Sequence, residues 1–240
     1  MVLESSAAAH ALKVFSVNGV RDVMVRLGAA FHAETGDEVH FTFGTIGVLQ
    51  NRMSAGDLPD VLVAMAAAMS RAEEQGLIDN NASVEVGRTG LGLAVKEGTA
   101  PLPDVSTSSG LRDTLLRARS LAYTDPQTGA ASGVAFAEML ADMGITDAVK
   151  DKAVLVSGGP VGEVVAQGRA ELGVQQVTEL LPIKGIALLG SLPPEQQRVT
   201  VYQAAVVLRC TKPKLAAAFL KYVTSCKVKP AFTDAGFGRY

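Results

Sequence analysis

Four short stretches place small hydrogen-bonding residues between a run that reads as a strand and a run that reads as a helix. "VFSVNGVRD" passes through Ser16, Val17 and Asn18, with Gly19 and Val20 opening the helix. "FTFGTIGVLQ" passes through Gly44, Thr45, Ile46 and Gly47, and "YTDPQTGAASGV" through Asp125 and Gly129 to Ser132. "LVSGGPVGEV" turns on Gly158 and Gly159. A helix start exposes backbone N–H donors and a partial positive charge, so the chemistry such turns can do is to hold an anion, here without any Lys or Arg. Asn18 and Ser132 are expected as N-caps, and Pro160 at the first helical position. Any one of these turns is ordinary turn chemistry. The four together, two in each expected domain, point to one anion site.

The elements that must position these turns alternate along the chain. "ALKVFS", "VHFTF" and "DVLVAM" read as strands. The helix after Gly19 carries Val20, Val23, Met24, Leu27, Ala30 and Phe31 on one face, at 3.6-residue spacing. "GVLQNRMSAG" and "AAAMSRAEEQG" are further helices, completing a βαβαβα pattern that calls for a helix-covered parallel sheet. The pattern breaks at the long strand-like "VEVGRTGLGLAVKEG" and the loop "TAPLPDVSTSSG", whose STSSG is expected to cap a helix from Leu111. Strand–helix alternation resumes through "LAYTD", "SGVAFAEMLADMG", "DKAVLVSG", "PVGEVVAQG" and "AELGVQQ", then "VTVYQAAVV" and a last helix. The expectation is an α/β chain of two domains, residues 1–84 with 198–240, and 85–197, with a ligand cleft between them. Open α/β sheets take ligands at the carboxyl ends of their strands, where the four turns lie.

Composition narrows the chemistry further. The chain has 240 residues, 48% hydrophobic, enough for two cores, and 22 basic against 24 acidic residues without a basic run. Nucleic acid is not an expected partner. No apolar stretch reaches the roughly 18 to 20 residues of a membrane span, so membrane insertion is not expected. Cys210 and Cys226 flank a helix of roughly 20 Å, too far for a bridge whose Cα atoms must lie within about 7 Å, and are expected as free thiols. His10, His32 and His40 have no metal-ligand spacing with them, so neither a metal nor a cofactor is expected. Gly90-Leu91-Gly92 lies inside a strand and completes no dinucleotide fingerprint; there is no P-loop and no nucleophile elbow. Met65 and Met69 read as core. "MVLESSAAAHA" has no apolar stretch and is not a working signal peptide, yet Ala9-His10-Ala11 fits a cleavage site. A trimmed export signal and a periplasmic location are expected, with a short cytosolic lead-in as the alternative.

The run "LKVFSVNGVRDVM…FTFGTIGVL…AGDLPDVLVA…YTDP…ASGVAF…GRAELGVQQVTEL" resembles the molybdate-binding group of extracellular solute-binding proteins from Leu12 to Gly238. "GDLPDVLV" and "AELGVQQ" stand where that family has its G-x-P-A-D-[VL] and A-x-L-G-I segments. The resemblance implies the type II periplasmic-binding-protein fold, a small anionic ligand and the membrane subunits of an ABC transporter as partners. It implies ligand contacts at Gly19, at Ile46-Gly47, at Ser132, near Gly158-Gly159 and at Gln176. Molybdate binders of the family present Ser hydroxyls at the first two turns and Tyr at the last, where this chain has Gly, Ile and Gln. Ser16, Asn18, Thr45, Ser132, Gln175 and Gln176 suit a planar, extended acceptor such as a carboxylate.

Two functions follow from the resemblance. One is a binding module of an uptake system. The other is an enzyme on the same scaffold, because some proteins similar to this branch are aconitate isomerases, which move a proton across the allylic carbons of a tricarboxylate. That reaction needs a proton acceptor and donor within reach of the bound carbons. Asp125, Tyr123 and Glu179 are the ionisable residues near the turns, and each also has a bland role. Asp125 suits a turn former, Tyr123 a packed strand residue, and Glu179 the start of a solvated helix.

Overall fold

In the computed structural model, residues 11–79, 81–190 and 192–238 are described. Residues 1–10, with most of the expected cleavage pattern and His10, lie outside them. In chain order the elements are β1 (Leu12–Val17), α1 (Arg21–Thr35), β2 (Val39–Gly44), α2 (Ile46–Ser54), β3 (Val61–Met65) and α3 (Ala66–Glu74). The long β4 (Val84–Lys96) is followed by α4 (Ser108–Arg117), β5 (Leu121–Thr124), α5 (Ala131–Asp142), α6 (Thr146–Lys150) and β6 (Ala153–Val156). Then come α7 (Val161–Ala166), β7 (Leu172–Gln176), α8 (Val177–Leu180), β8 (Ile186–Leu188), β9 (Val199–Val206), α9 (Pro213–Val223) and α10 (Lys229–Asp234). The chain forms two compact units, Met1–Arg88 with Val201–Ala235, and Thr89–Thr200 with Gly236–Tyr240.

In the first unit β1 runs parallel to both β2 and β3, with Ser16 opposite Phe43 and Val63. The three strands therefore end together, each followed by a helix. β9 pairs antiparallel with β3, which departs from an all-parallel sheet. It is not joined to β3 by a helical crossover, the connection that parallel neighbours need. The face of α1 predicted from spacing is buried except at Ala30. Its Phe31 meets Phe219 of α9 edge-on at 5.4 Å; burying a side chain of this size stabilises by about 1.5–3 kcal/mol. Met69 is fully buried, whereas Met65 is only half-buried because it ends β3 rather than sharing a helical face with Met69.

The amino end of this sheet is closed by one carboxylate. Asp60, just before β3, accepts from the Lys13 N–H at 3.0 Å, the Thr211 N–H at 3.0 Å and the Thr211 hydroxyl at 3.1 Å. The Cys210 thiol adds a contact at 3.4 Å. Burial works to raise the Asp60 carboxyl, but these donors together hold it below the usual carboxylate range. Both cysteines are free thiols.

In the second unit β5 lies between β6 and β7, parallel to both. β4 pairs antiparallel with β7, and β8 with β4. One face of the sheet, with Leu91, Leu93, Val95, Leu121, Tyr123 and Val174, packs on Leu111 and Leu115 of α4 and on Phe136, Met139 and Leu140 of α5. On the other face Ala122 meets Val161 and Val164 of α7. A side chain at Gly173 would place Cβ 2.5 Å from Val165, so only glycine lets α7 approach. Helix α4 starts three residues before Leu111, capped by Thr107, whose hydroxyl accepts from the Gly110 N–H at 3.0 Å. Its other end is capped by Lys152, whose ammonium donates to the carbonyls of Leu115 and Ala118 at 2.8 Å.

Candidate anion-binding site

At the carboxyl end of β1 the chain makes a 3-10 turn over Asn18–Val20 before entering α1. Asn18 is exposed and makes no capping bond, so the expected N-cap is not formed; a 3-10 entry satisfies the Arg21 N–H with the Asn18 carbonyl instead. Ser16 is fully buried and its hydroxyl donates to its neighbour's carbonyl, Val17 O, at 3.3 Å. Gly19 and Val20 are buried. At the end of β2, Thr45 caps α2 by accepting from the Val48 N–H at 3.4 Å. That leaves the N–H groups of Ile46 and Gly47 without an acceptor among the described residues, and no acidic side chain stands in the first turn.

Arg21 is a feature of this region that the turn motifs alone do not reveal. It is exposed at the first position of α1 and lays its guanidinium over the ring of Phe43, 5.0 Å from the centroid. Phe43 faces Ser16 across the β1–β2 ladder, so the cation stands beside two of the turns. Arg21 forms no ion pair among the described residues. Its signal was weak: one Arg in a helix first turn reads as a solvated charge.

In the second unit Asp125 ends β5 and caps the 3-10 turn Pro126–Thr128, accepting from the Gln127 N–H at 2.9 Å. The Ser157 hydroxyl reaches its other oxygen at 3.5 Å. Tyr123 is buried in the core, edge-on to Phe136 at 4.9 Å. Burial, then the nearby Asp125 charge, pushes its phenol above the usual range. Ser132 is not the cap of α5 but its second residue; Ala130 takes the cap position and makes no side-chain bond. The buried Ser132 hydroxyl instead turns back to donate to Thr124 Oγ1 at 3.2 Å. The N–H groups of Ala131, Ser132 and Gly133 have no acceptor among the described residues, and the first turn carries no acidic side chain.

At the end of β6, Ser157, Gly158 and Gly159 are exposed. Pro160 is the N-cap of α7 rather than its first helical residue, and the Val161 N–H is taken by Gln175 Oε1 at 2.9 Å. This fourth helix start is thus partly satisfied from within. Gln175 also binds the carboxyl of Glu179 through its side chain, and the backbone N–H of Gln176 donates to the same carboxyl. This is half of a capping box, with Gln176 as N-cap and Glu179 at the third helical position. Glu179 does not begin a solvated helix: the residue is half-buried and its carboxyl is enclosed by protein. Burial pushes the group up to about 7, against the pull of the Gln176 and Gln175 bonds. Gln176 is buried at the end of β7, opposite Leu91 of β4. Among the described residues there is no group of three or more metal-capable side chains.

The geometry is that of a sheet whose strand-end turns offer backbone donors, and the sequence matches the model for the bacterial extracellular solute-binding protein family over residues 12–238. The chain belongs to this family. The chain is also similar to aconitate isomerase from Pseudomonas sp, 31% identical over 231 residues that cover 94% of this chain and 86% of the relative. Among solved structures, the periplasmic molybdate-binding protein of Azotobacter vinelandii superposes with a TM-score of 0.77 at 21% identity, covering 94% of this chain and 98% of that one. L-phospholactate-bound PEB3 superposes at 0.73 and 12% identity, covering 95% and 100%. This solute-binding protein has the type II periplasmic-binding-protein fold expected from its sequence.

Proposed function

We propose that this solute-binding protein takes up a small polycarboxylate at its strand-end turns and presents it, in the periplasm, to the membrane subunits of an ABC transporter. The observation that carries the reading is the pair of open donor sets, Ile46 and Gly47 at α2 and Ala131 to Gly133 at α5. Each is backed by a helix of nine or more residues with no acidic side chain in its first turn. Backbone donors of this kind suit oxygen anions in general. Arg21 adds a full charge, which favours a ligand with more than one carboxylate. The test is a thermal-shift panel of molybdate, sulfate, citrate, tricarballylate and cis- and trans-aconitate. A polycarboxylate should raise the melting temperature and molybdate should not; the opposite result overturns the carboxylate assignment.

A second reading is isomerisation of aconitate, favoured by the 31%-identical relative and by the Glu179 carboxyl held near neutrality. A group that titrates near the working pH can both accept and return a proton. Of the three ionisable candidates, Tyr123 is packed in the core and Asp125 and Glu179 both serve as caps; Glu179 is the proposed acid–base group because burial brings its carboxyl up to about 7. Proton NMR of cis- or trans-aconitate with the protein should show the other isomer appearing. Glu179→Gln should slow it by about 10²–10⁴-fold, the usual contribution of a positioned base. Absence of turnover in folded protein that binds aconitate leaves the receptor reading alone.

A further inference from the structure

Thr89 opens the second unit and lies within β4. It is fully buried, and its hydroxyl has no hydrogen-bond partner among the described residues. Buried polar groups in folded proteins almost always have a partner, so one without needs a reason. Its position supplies one. Leu91 is opposite Gln176, the last residue of β7, so Thr89, two residues earlier on an antiparallel strand, lies beyond the carboxyl end of β7. Side chains alternate along a strand, which puts Thr89 on the same face as Leu91, Leu93 and Val95. That face packs on α5. Thr89 thus shares both the end and the face of the sheet with the first turn of α5, whose Ala131, Ser132 and Gly133 N–H groups are open.

We propose that the Thr89 hydroxyl is a ligand contact, donating to an oxygen of the anion held at the start of α5 in the second unit. The proposal rests on the polycarboxylate reading and adds a specificity-determining residue to it. In the free protein the hydroxyl is a buried group without a partner; in the complex it gains a charged acceptor. The two states therefore respond oppositely to its removal. Valine keeps the shape of threonine and deletes only the donor, which relieves the free protein and penalises the complex.

The test compares wild type, Thr89→Val and Thr89→Ser by thermal melting without ligand and by calorimetric titration with citrate, trans-aconitate and molybdate. Thr89→Val should melt at or above the wild-type temperature when empty and bind the preferred probe about 10- to 100-fold more weakly, the loss of a hydrogen bond to a charged group. Thr89→Ser should bind within about threefold of wild type, since it keeps the donor. Where valine impairs folding, Thr89→Ala is titrated in its place. A valine or alanine variant that binds as tightly as wild type overturns the assignment of Thr89 and leaves the polycarboxylate reading standing. A lower melting temperature with unchanged affinity also overturns it, by showing that the hydroxyl serves the fold. A wild-type chain that takes none of the three probes overturns both.

Discussion

A carboxyl group enclosed by protein and held by two donors, as Glu179 is, binds its proton more tightly in the folded chain than in the unfolded one. Its ordinary value is 4.5 and its folded value about 7, so between these the folded chain keeps a proton that the unfolded chain has released. The stability tied to that proton is complete below the unfolded value and is lost as pH rises through the folded one. Above about pH 7 the buried charge costs at most about 3 kcal/mol, since each tenfold change in proton affinity is worth about 1.36 kcal/mol. Glu179→Gln should therefore melt above wild type at pH 8 and level with it near pH 4; equal melting temperatures at both would show the carboxyl to be solvated. Ser132→Ala should lower stability by about 1 kcal/mol through the lost bond to Thr124, with ligand affinity unchanged because the N–H donor remains, as urea unfolding and titration would show. Arg21→Gln should weaken citrate or trans-aconitate binding by roughly 3- to 10-fold at low salt and less at high salt, since an exposed charge is screened. The sequence marked Ser132, Glu179 and the turn around Arg21, but not what each side chain does. A small polar residue at a turn has several nearby partners, and the winner depends on packing: Gly133 brings α5 so close to β5 that Thr124 becomes the nearest acceptor for Ser132.

Helices here are placed by glycines as much as by apolar faces. A Cβ at Gly133 would lie 2.4 Å from the Thr124 carbonyl oxygen, a backbone atom that cannot step aside. Gly133→Ala should therefore push the start of α5 off β5, destabilising the fold by about 1–3 kcal/mol and moving the Ala131 and Ser132 donors together. Loss of binding with little loss of stability would show that the helix shifts freely. The long elements were readable because their periodicity repeats: the apolar stripe of α1 and the alternation through β5, α5, β6 and α7 needed no structure to be seen. The five-residue α6 and the three-residue β8 were not, since neither is long enough to complete a period. β9 was legible as a strand, but its antiparallel pairing was not, because direction is a property of the connection rather than of the residues.

At the scale of the whole molecule, a ligand that binds only the folded chain must raise its stability. At 100 times its Kd the gain is about 2.7 kcal/mol, so citrate or trans-aconitate at that ratio should shift the urea midpoint, and a midpoint indifferent to both would count against the polycarboxylate. The first unit meanwhile holds an anion of its own at the opposite, amino end of its sheet. Asp60 is in effect a guest tethered to the chain: it occupies the donors of Lys13 and Thr211 beside the start of α9, and a pocket of about 460 Å³ reaches it past His40, Arg209 and Lys212. In Asp60→Ala those donors lose their acceptor, a cost of about 1–3 kcal/mol, and the vacated seat has the size and chemistry for a free acetate or formate. Added acetate should then restore part of the lost stability to the variant and do nothing for wild type, a chemical rescue readable in a melting curve. A variant that ignores acetate would mean that the chain has closed over the place where its own carboxylate sat.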